Sequence, residues 1–136
     1  MKKLFLSPLG LVIMHIIAAV VNFAYSVSGH SDIKWLYFAV TLLYIGYWCV
    51  FIVKGRHTKI GTVFFSVLFV LSVTGLVIAK YSLLADWFIP VAVVFATPFA
   101  GLGAVFRKWH WWAAVAVISL IMTGFSIIKA KRKTQE

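Results

Sequence analysis

Acidic residues are almost absent from this sequence. Of its 136 residues only Asp32, Asp86 and Glu136 are acidic, whereas thirteen are lysine or arginine, and charged residues make up 12% of the chain. An ordinary soluble domain has about a quarter of its residues charged, so this scarcity excludes that class. Because none of the three carboxylates lies within an apolar run, the sequence also lacks the intramembrane acid of a typical proton-coupled exchanger.

Cysteine and the usual catalytic patterns are scarce as well. The single cysteine, Cys49, excludes an internal disulfide. The sequence has no local signature of a nucleophile with its base, no glycine-rich phosphate loop and no metal-ligand spacing. We therefore predict a protein that is not an enzyme and holds no cofactor or metal. The side chains of His15, Cys49, His57 and His110 leave a haem- or metal-binding redox protein as an alternative.

Long apolar runs are what the sequence does contain, since 63% of its residues are hydrophobic and its mean hydropathy is +1.02. Each run is close to the roughly 20 residues that a helix needs to cross a bilayer. We predict an all-α integral membrane protein, a single multi-pass domain of five transmembrane helices followed by a basic tail at 129–136. The helices are expected at residues 8–27, 35–53, 60–79, 87–106 and 111–128.

The first run begins with a clear helix-start signal. Ser7 can cap the helix with its hydroxyl, and Pro8 suits the first helical position. The run from residue 8 to residue 27 is long enough to span a membrane, so we expect it to be retained as the first helix and not cleaved as a signal peptide.

The number of crossings depends on residues 87–106. If all five runs cross, the thirteen basic residues divide seven against six between the two sides, and if residues 87–106 enter and leave on one side, they divide nine against four. The charge rule favours the second topology, four spanning helices plus one re-entrant or interfacial segment. Run length favours five crossings, which we expect because an uncharged run of this length is difficult to keep out of the bilayer. In both topologies we expect a plasma-membrane protein with a cytoplasmic N-terminus.

The fourth run has two further features, a series of small residues and a helix-breaking centre. Pro98 removes a mid-helix hydrogen bond and, with Gly101 and Gly103 nearby, predicts a kink. Four alanines recur every four residues, a spacing that lines small side chains along one face of an α-helix and allows close helix packing. These predicted packing residues are Ala92, Ala96, Ala100 and Ala104.

Two polar side chains interrupt the first apolar run. His15 and Asn22 are seven residues apart and therefore lie on one face of an α-helix. Polar groups at membrane depth are costly unless they face protein or water, so we expect this face to point into the bundle. The same two residues, with the segment from Pro98 to Gly103, would line the path if the protein were a small transporter or channel.

The function that these patterns favour is a non-enzymatic one. We expect an accessory, immunity or oligomeric membrane component that acts through helix packing, with a second copy or another membrane protein as a possible partner. The basic residues lie between apolar runs and at the two ends, where they meet anionic lipid headgroups. We therefore expect lipid contact there and no binding of nucleic acid.

Overall fold

The computed structural model describes residues 2–28, 33–54, 57–106 and 109–135, and every regular element in these ranges is helical. The rest of the chain, including residues 107–108 between the fourth and fifth apolar runs and Glu136, lies outside the described residues. The elements in chain order are α1 (Lys2–Phe5), α2 (Pro8–Ser28), α3 (Lys34–Lys54), α4 (Thr58–Tyr81), α5 (Phe88–Ala96), a 3₁₀ segment (Thr97–Ala104) and α6 (His110–Gln135). The prediction of an all-helical chain is confirmed.

Helix length and surface composition indicate a membrane protein. In the described part of the chain, α3, α4 and α6 are long and apolar enough to cross a bilayer, and the shorter apolar stretches are Pro8–Phe23 and Phe88–Ala104. Large apolar side chains face outward, among them Leu43, which is 73% exposed. Apolar exposure on this scale would be a liability in water and suits a surface covered by lipid.

Helices α4 and α6 form a closely packed antiparallel pair. The buried residues of α4 include Gly61 and Gly75, and those of α6 include Trp112 and Ser126. A Cβ on Gly61 would lie 3.0 Å from the Ser126 hydroxyl, and one on Gly75 would lie 2.7 Å from the Trp112 ring. The start of α4 therefore contacts the end of α6, and the end of α4 contacts the start of α6.

This direction differs from the arrangement that five crossings require. With five crossings the third and fifth spanning helices would run parallel, whereas α4 and α6 run antiparallel. Lys80, near the end of α4, places its ammonium 5.4 Å from the ring of Trp109, which precedes α6. Phe88, at the start of α5, lies with its ring centroid 5.7 Å from that of Trp112. The chain between α4 and α6 thus begins and ends at the same end of the pair, and the expectation of five crossings is not confirmed.

The fourth apolar run is divided by a change of helix type. It forms nine residues of α-helix, α5, followed by eight residues of 3₁₀ helix. The change falls at Thr97-Pro98, because proline has no backbone N–H to continue the α-helical pattern. Most of the 3₁₀ segment is buried, and it packs chiefly against α2 and α3.

The alanine series spans both halves of this run. Ala92 and Ala96 lie in α5, and Ala100 and Ala104 lie in the 3₁₀ segment. Because a 3₁₀ helix has three residues per turn, positions four apart are rotated by about 120°. The four alanines therefore do not form one continuous face. Ala96 and Ala100 are 1% and 4% exposed, so their close packing is used inside the chain.

Candidate functional site

The candidate site is the set of polar contacts between α2, α3 and the broken fourth run. It contains two groups of side chains, one around His15 and one around Asn22. In each group the atom contacted on the fourth run is a backbone carbonyl oxygen, that of Val94 or that of Pro98.

His15 binds the carbonyl that the proline leaves without its α-helical donor. In an α-helix the carbonyl of Val94 would accept from the N–H of residue 98, which is proline and has none. The His15 Nε2 lies 2.7 Å from this oxygen, and its Nδ1 lies 2.6 Å from the Tyr44 hydroxyl on α3. A carbonyl only accepts, so Nε2 carries the proton and Nδ1 of the neutral ring accepts from Tyr44.

Asn22 and Thr41 bind a second, buried carbonyl of the fourth run, that of Pro98. The Asn22 amide donates to it at 2.9 Å and the Thr41 hydroxyl donates at 3.0 Å. The amide of Asn22 also contacts the Thr41 hydroxyl at 3.2 Å. Both side chains are fully buried. The amide oxygen Oδ1 of Asn22 is buried without a hydrogen-bond partner among the described residues.

Glycine allows the 3₁₀ segment to approach its neighbours closely. A Cβ on Gly101 would collide with the backbone carbonyl of Tyr37 on α3, and one on Gly103 would lie 3.0 Å from the Tyr25 ring on α2. Backbone atoms at Tyr37 cannot move aside as a flexible side chain can. Gly101 is therefore required by the packing of this segment against α3.

The predicted site residues are placed as follows. His15, Asn22 and Pro98 lie together in the candidate site, and Gly101 and Gly103 lie on the same segment, against α3 and α2. Neither Thr41 nor Tyr44 is among the site residues predicted from the sequence. The signal for them was their spacing: Thr41, Tyr44 and Trp48 are three and four residues apart, so they share one face of α3.

The site does not bring together the four residues considered for haem or metal. Across the described ranges, no group of three His, Cys, Asp or Glu side chains could hold a metal ion. His57 immediately precedes α4 and His110 begins α6, so the antiparallel pairing places them at opposite ends. Cys49 Sγ lies 3.9 Å from Met122 Sδ, a contact between helices α3 and α6.

Comparison with models of protein families, with curated proteins and with solved structures finds no match for this chain. The fold and the polar contacts described above are therefore the basis for a functional assignment.

Proposed function

We propose that this chain is a non-enzymatic multi-pass protein of the plasma membrane that acts through helix packing, as an accessory, immunity or oligomeric component. The observation that carries the proposal is that the buried polar side chains bind the chain's own backbone. His15 and Asn22 bind the backbone carbonyls of a broken segment held inside the fold. In lipid each unsatisfied backbone group costs several kcal/mol, so these contacts stabilise the buried position of α5 and the 3₁₀ segment.

We also propose four crossings, by α2, α3, α4 and α6, with α5 and the 3₁₀ segment as a re-entrant element. The antiparallel contact of α4 with α6 supports this topology. The division of basic residues supports it too, because four crossings give nine on the side of the N-terminus and four on the other side. By the charge rule the side with nine, which carries both termini, is cytoplasmic.

A packing partner needs an outward face with room for close approach, and α3 provides one. Gly46 is exposed, and a Cβ built on it would meet nothing within 4 Å. Leu43, one turn earlier, is 73% exposed. Small residues let a second helix approach closely in a membrane. Because Ala96 and Ala100 are buried internally, a partner would bind a face such as this one and not the alanine series.

The test replaces Gly46 with leucine and measures association by energy transfer between labelled copies, diluted into liposomes. We expect the wild-type protein to associate and Gly46→Leu to weaken association without lowering its stability, because the added side chain enters open space. Leu120→Ala on α6, at another outward position, is the matched control and should leave association unchanged. Monomeric wild-type protein at all dilutions, together with no co-purifying membrane protein, would contradict the proposal.

One observation favours a second function, a small transporter or channel. Asn22 Oδ1 is a buried acceptor without a donor in the described part of the chain, and it adjoins a broken helix. Broken helices commonly hold substrates or ions in transporters. Flux of small cations and polar solutes into liposomes tests this function, and it should fall in Asn22→Leu. Absence of flux for all solutes in the wild-type protein would exclude those solutes as cargo.

A further inference from the structure

An apolar groove lies at the end of the molecule where α1, the start of α2 and the end of α3 meet. Its volume is about 560 Å³, within the range of small-molecule sites. Leu4, Phe5 and Leu6 form one wall. The remaining lining residues are Gly10, Ile13, Met14, Val50 and Lys54.

The wall that α1 contributes is held in place by specific contacts. The Tyr47 hydroxyl donates to the Phe5 carbonyl at 2.6 Å, and the two rings meet edge to face. The Ser7 hydroxyl accepts from the Gly10 N–H at 3.2 Å, which confirms the predicted start of α2. A Cβ on Gly10 would collide with the Leu4 carbonyl, so glycine permits α1 to lie against α2. The groove is therefore a built feature of the fold.

Lys54 places a charged group at the rim of the groove. It is exposed, and among the described residues it is the only charged one that lines the groove. Asp86, the one acid among the described residues, follows α4 at the opposite end from Lys54. An ammonium beside an apolar groove is complementary to a molecule that has a long hydrocarbon chain and an anionic head.

We propose that this groove binds one anionic phospholipid, with an acyl chain between α1 and α3 and the phosphate at Lys54. In the four-crossing topology proposed above, the groove lies at the end of the bundle where a spanning protein meets lipid headgroups, and basic residues at that depth attract anionic lipids. A phosphate accepts from a lysine ammonium without a fixed geometry. Neither Gly46 nor Leu43 lines the groove, but Val50, one turn after Gly46 on the same face of α3, does. The lysine variants described next leave that face unchanged, so they separate lipid binding from the packing role proposed above.

The experiment places the full chain in nanodiscs that contain equal amounts of a phosphatidylglycerol and a phosphatidylcholine of different mass. Native mass spectrometry then counts the lipids that remain bound on release. We expect one retained phosphatidylglycerol per chain. Lys54→Gln should lower its retention about fivefold, since one lysine near anionic lipid contributes about that factor. Lys59→Gln, an exposed lysine on α4 outside the groove, is the matched control and should retain the lipid.

A second pair of variants tests the apolar part of the site. Val50→Trp fills the groove and should abolish retention, whereas Val63→Trp, at a position on α4 that is 63% exposed, should not. Equal retention of both lipids, equal loss in the two lysine variants, or unchanged retention in Val50→Trp would each overturn the proposal. Association that is lost in Val50→Trp but kept in Gly46→Leu would also overturn it, because a second copy would then occupy the groove. If Val50→Trp fails to fold, the lysine pair decides the outcome.

Discussion

At the scale of single residues, the polar side chains of α2 are explained by two carbonyl oxygens. Pro98 leaves the Val94 carbonyl without its α-helical donor, and His15 donates to it. The Pro98 carbonyl accepts from both Asn22 and Thr41. In a protein interior an unsatisfied backbone carbonyl costs about 1–3 kcal/mol. His15 and Asn22 therefore stabilise the fold as donors and need not contact any ligand.

Because Asn22 and Thr41 share one acceptor, their contributions to stability should be coupled. We predict that Asn22→Leu and Thr41→Val each lower the free energy of unfolding by about 0.5–1.5 kcal/mol, since the other donor still satisfies the Pro98 carbonyl. The double variant leaves that carbonyl without either side-chain donor and should cost more than the sum of the two single variants. Unfolding by sodium dodecyl sulfate in mixed micelles measures all three values.

Thr74→Val is the control for loss of a hydroxyl from a spanning helix. The Thr74 hydroxyl donates to the Val70 carbonyl of its own helix at 2.9 Å, so its removal should have little effect and should add independently to Asn22→Leu. Strict additivity of Asn22→Leu with Thr41→Val would show that the two donors do not share one acceptor.

At the scale of elements, run length and residue type predicted most of the helices. The run at residues 60–79 corresponds to α4 (Thr58–Tyr81), and Pro98 marks the point where the fourth run changes helix type. The alanine spacing assumes an α-helix throughout, whereas Thr97–Ala104 is a 3₁₀ helix. Run length carries no information on the direction of a helix. It could therefore not show that α6 runs antiparallel to α4. That information lies in contacts such as Gly75 with Trp112.

The close approach of the 3₁₀ segment to α3 gives a prediction at this scale. A Cβ at position 101 would collide with the Tyr37 carbonyl, so Gly101→Ala should destabilise the protein by about 1–3 kcal/mol through overpacking. Gly46→Ala is matched in chemistry, but its Cβ meets nothing within 4 Å. It should be neutral or stabilise α3 by up to about 1 kcal/mol, because alanine favours a helix over glycine. Equal stability of the two variants would contradict the observed packing.

At the scale of the whole molecule, two packed groups are joined through α3 and the broken fourth run. One group contains α2, α3 and the 3₁₀ segment, and the other is the α4–α6 pair. The buried side chains of Trp48, Phe51 and Phe65 belong to one core that connects them. In this arrangement the fourth run fills the space beside α2 and α3, and α6 returns along α4 toward the side on which the chain began.

This arrangement predicts where the C-terminus lies. With Cys49 replaced by serine and a cysteine added after Glu136, we expect a membrane-impermeant maleimide to leave the C-terminus unlabelled in intact cells and to label it once the cells are opened. Leu84→Cys in the same background is the control: Leu84 is 99% exposed and follows α4. It should be labelled from outside in either topology. Labelling of both positions in intact cells would require an odd number of crossings, which the antiparallel contact of α4 with α6 opposes. That result would contradict four crossings. It would also contradict the cytoplasmic placement of the basic tail, on which the nine-to-four division of basic residues depends.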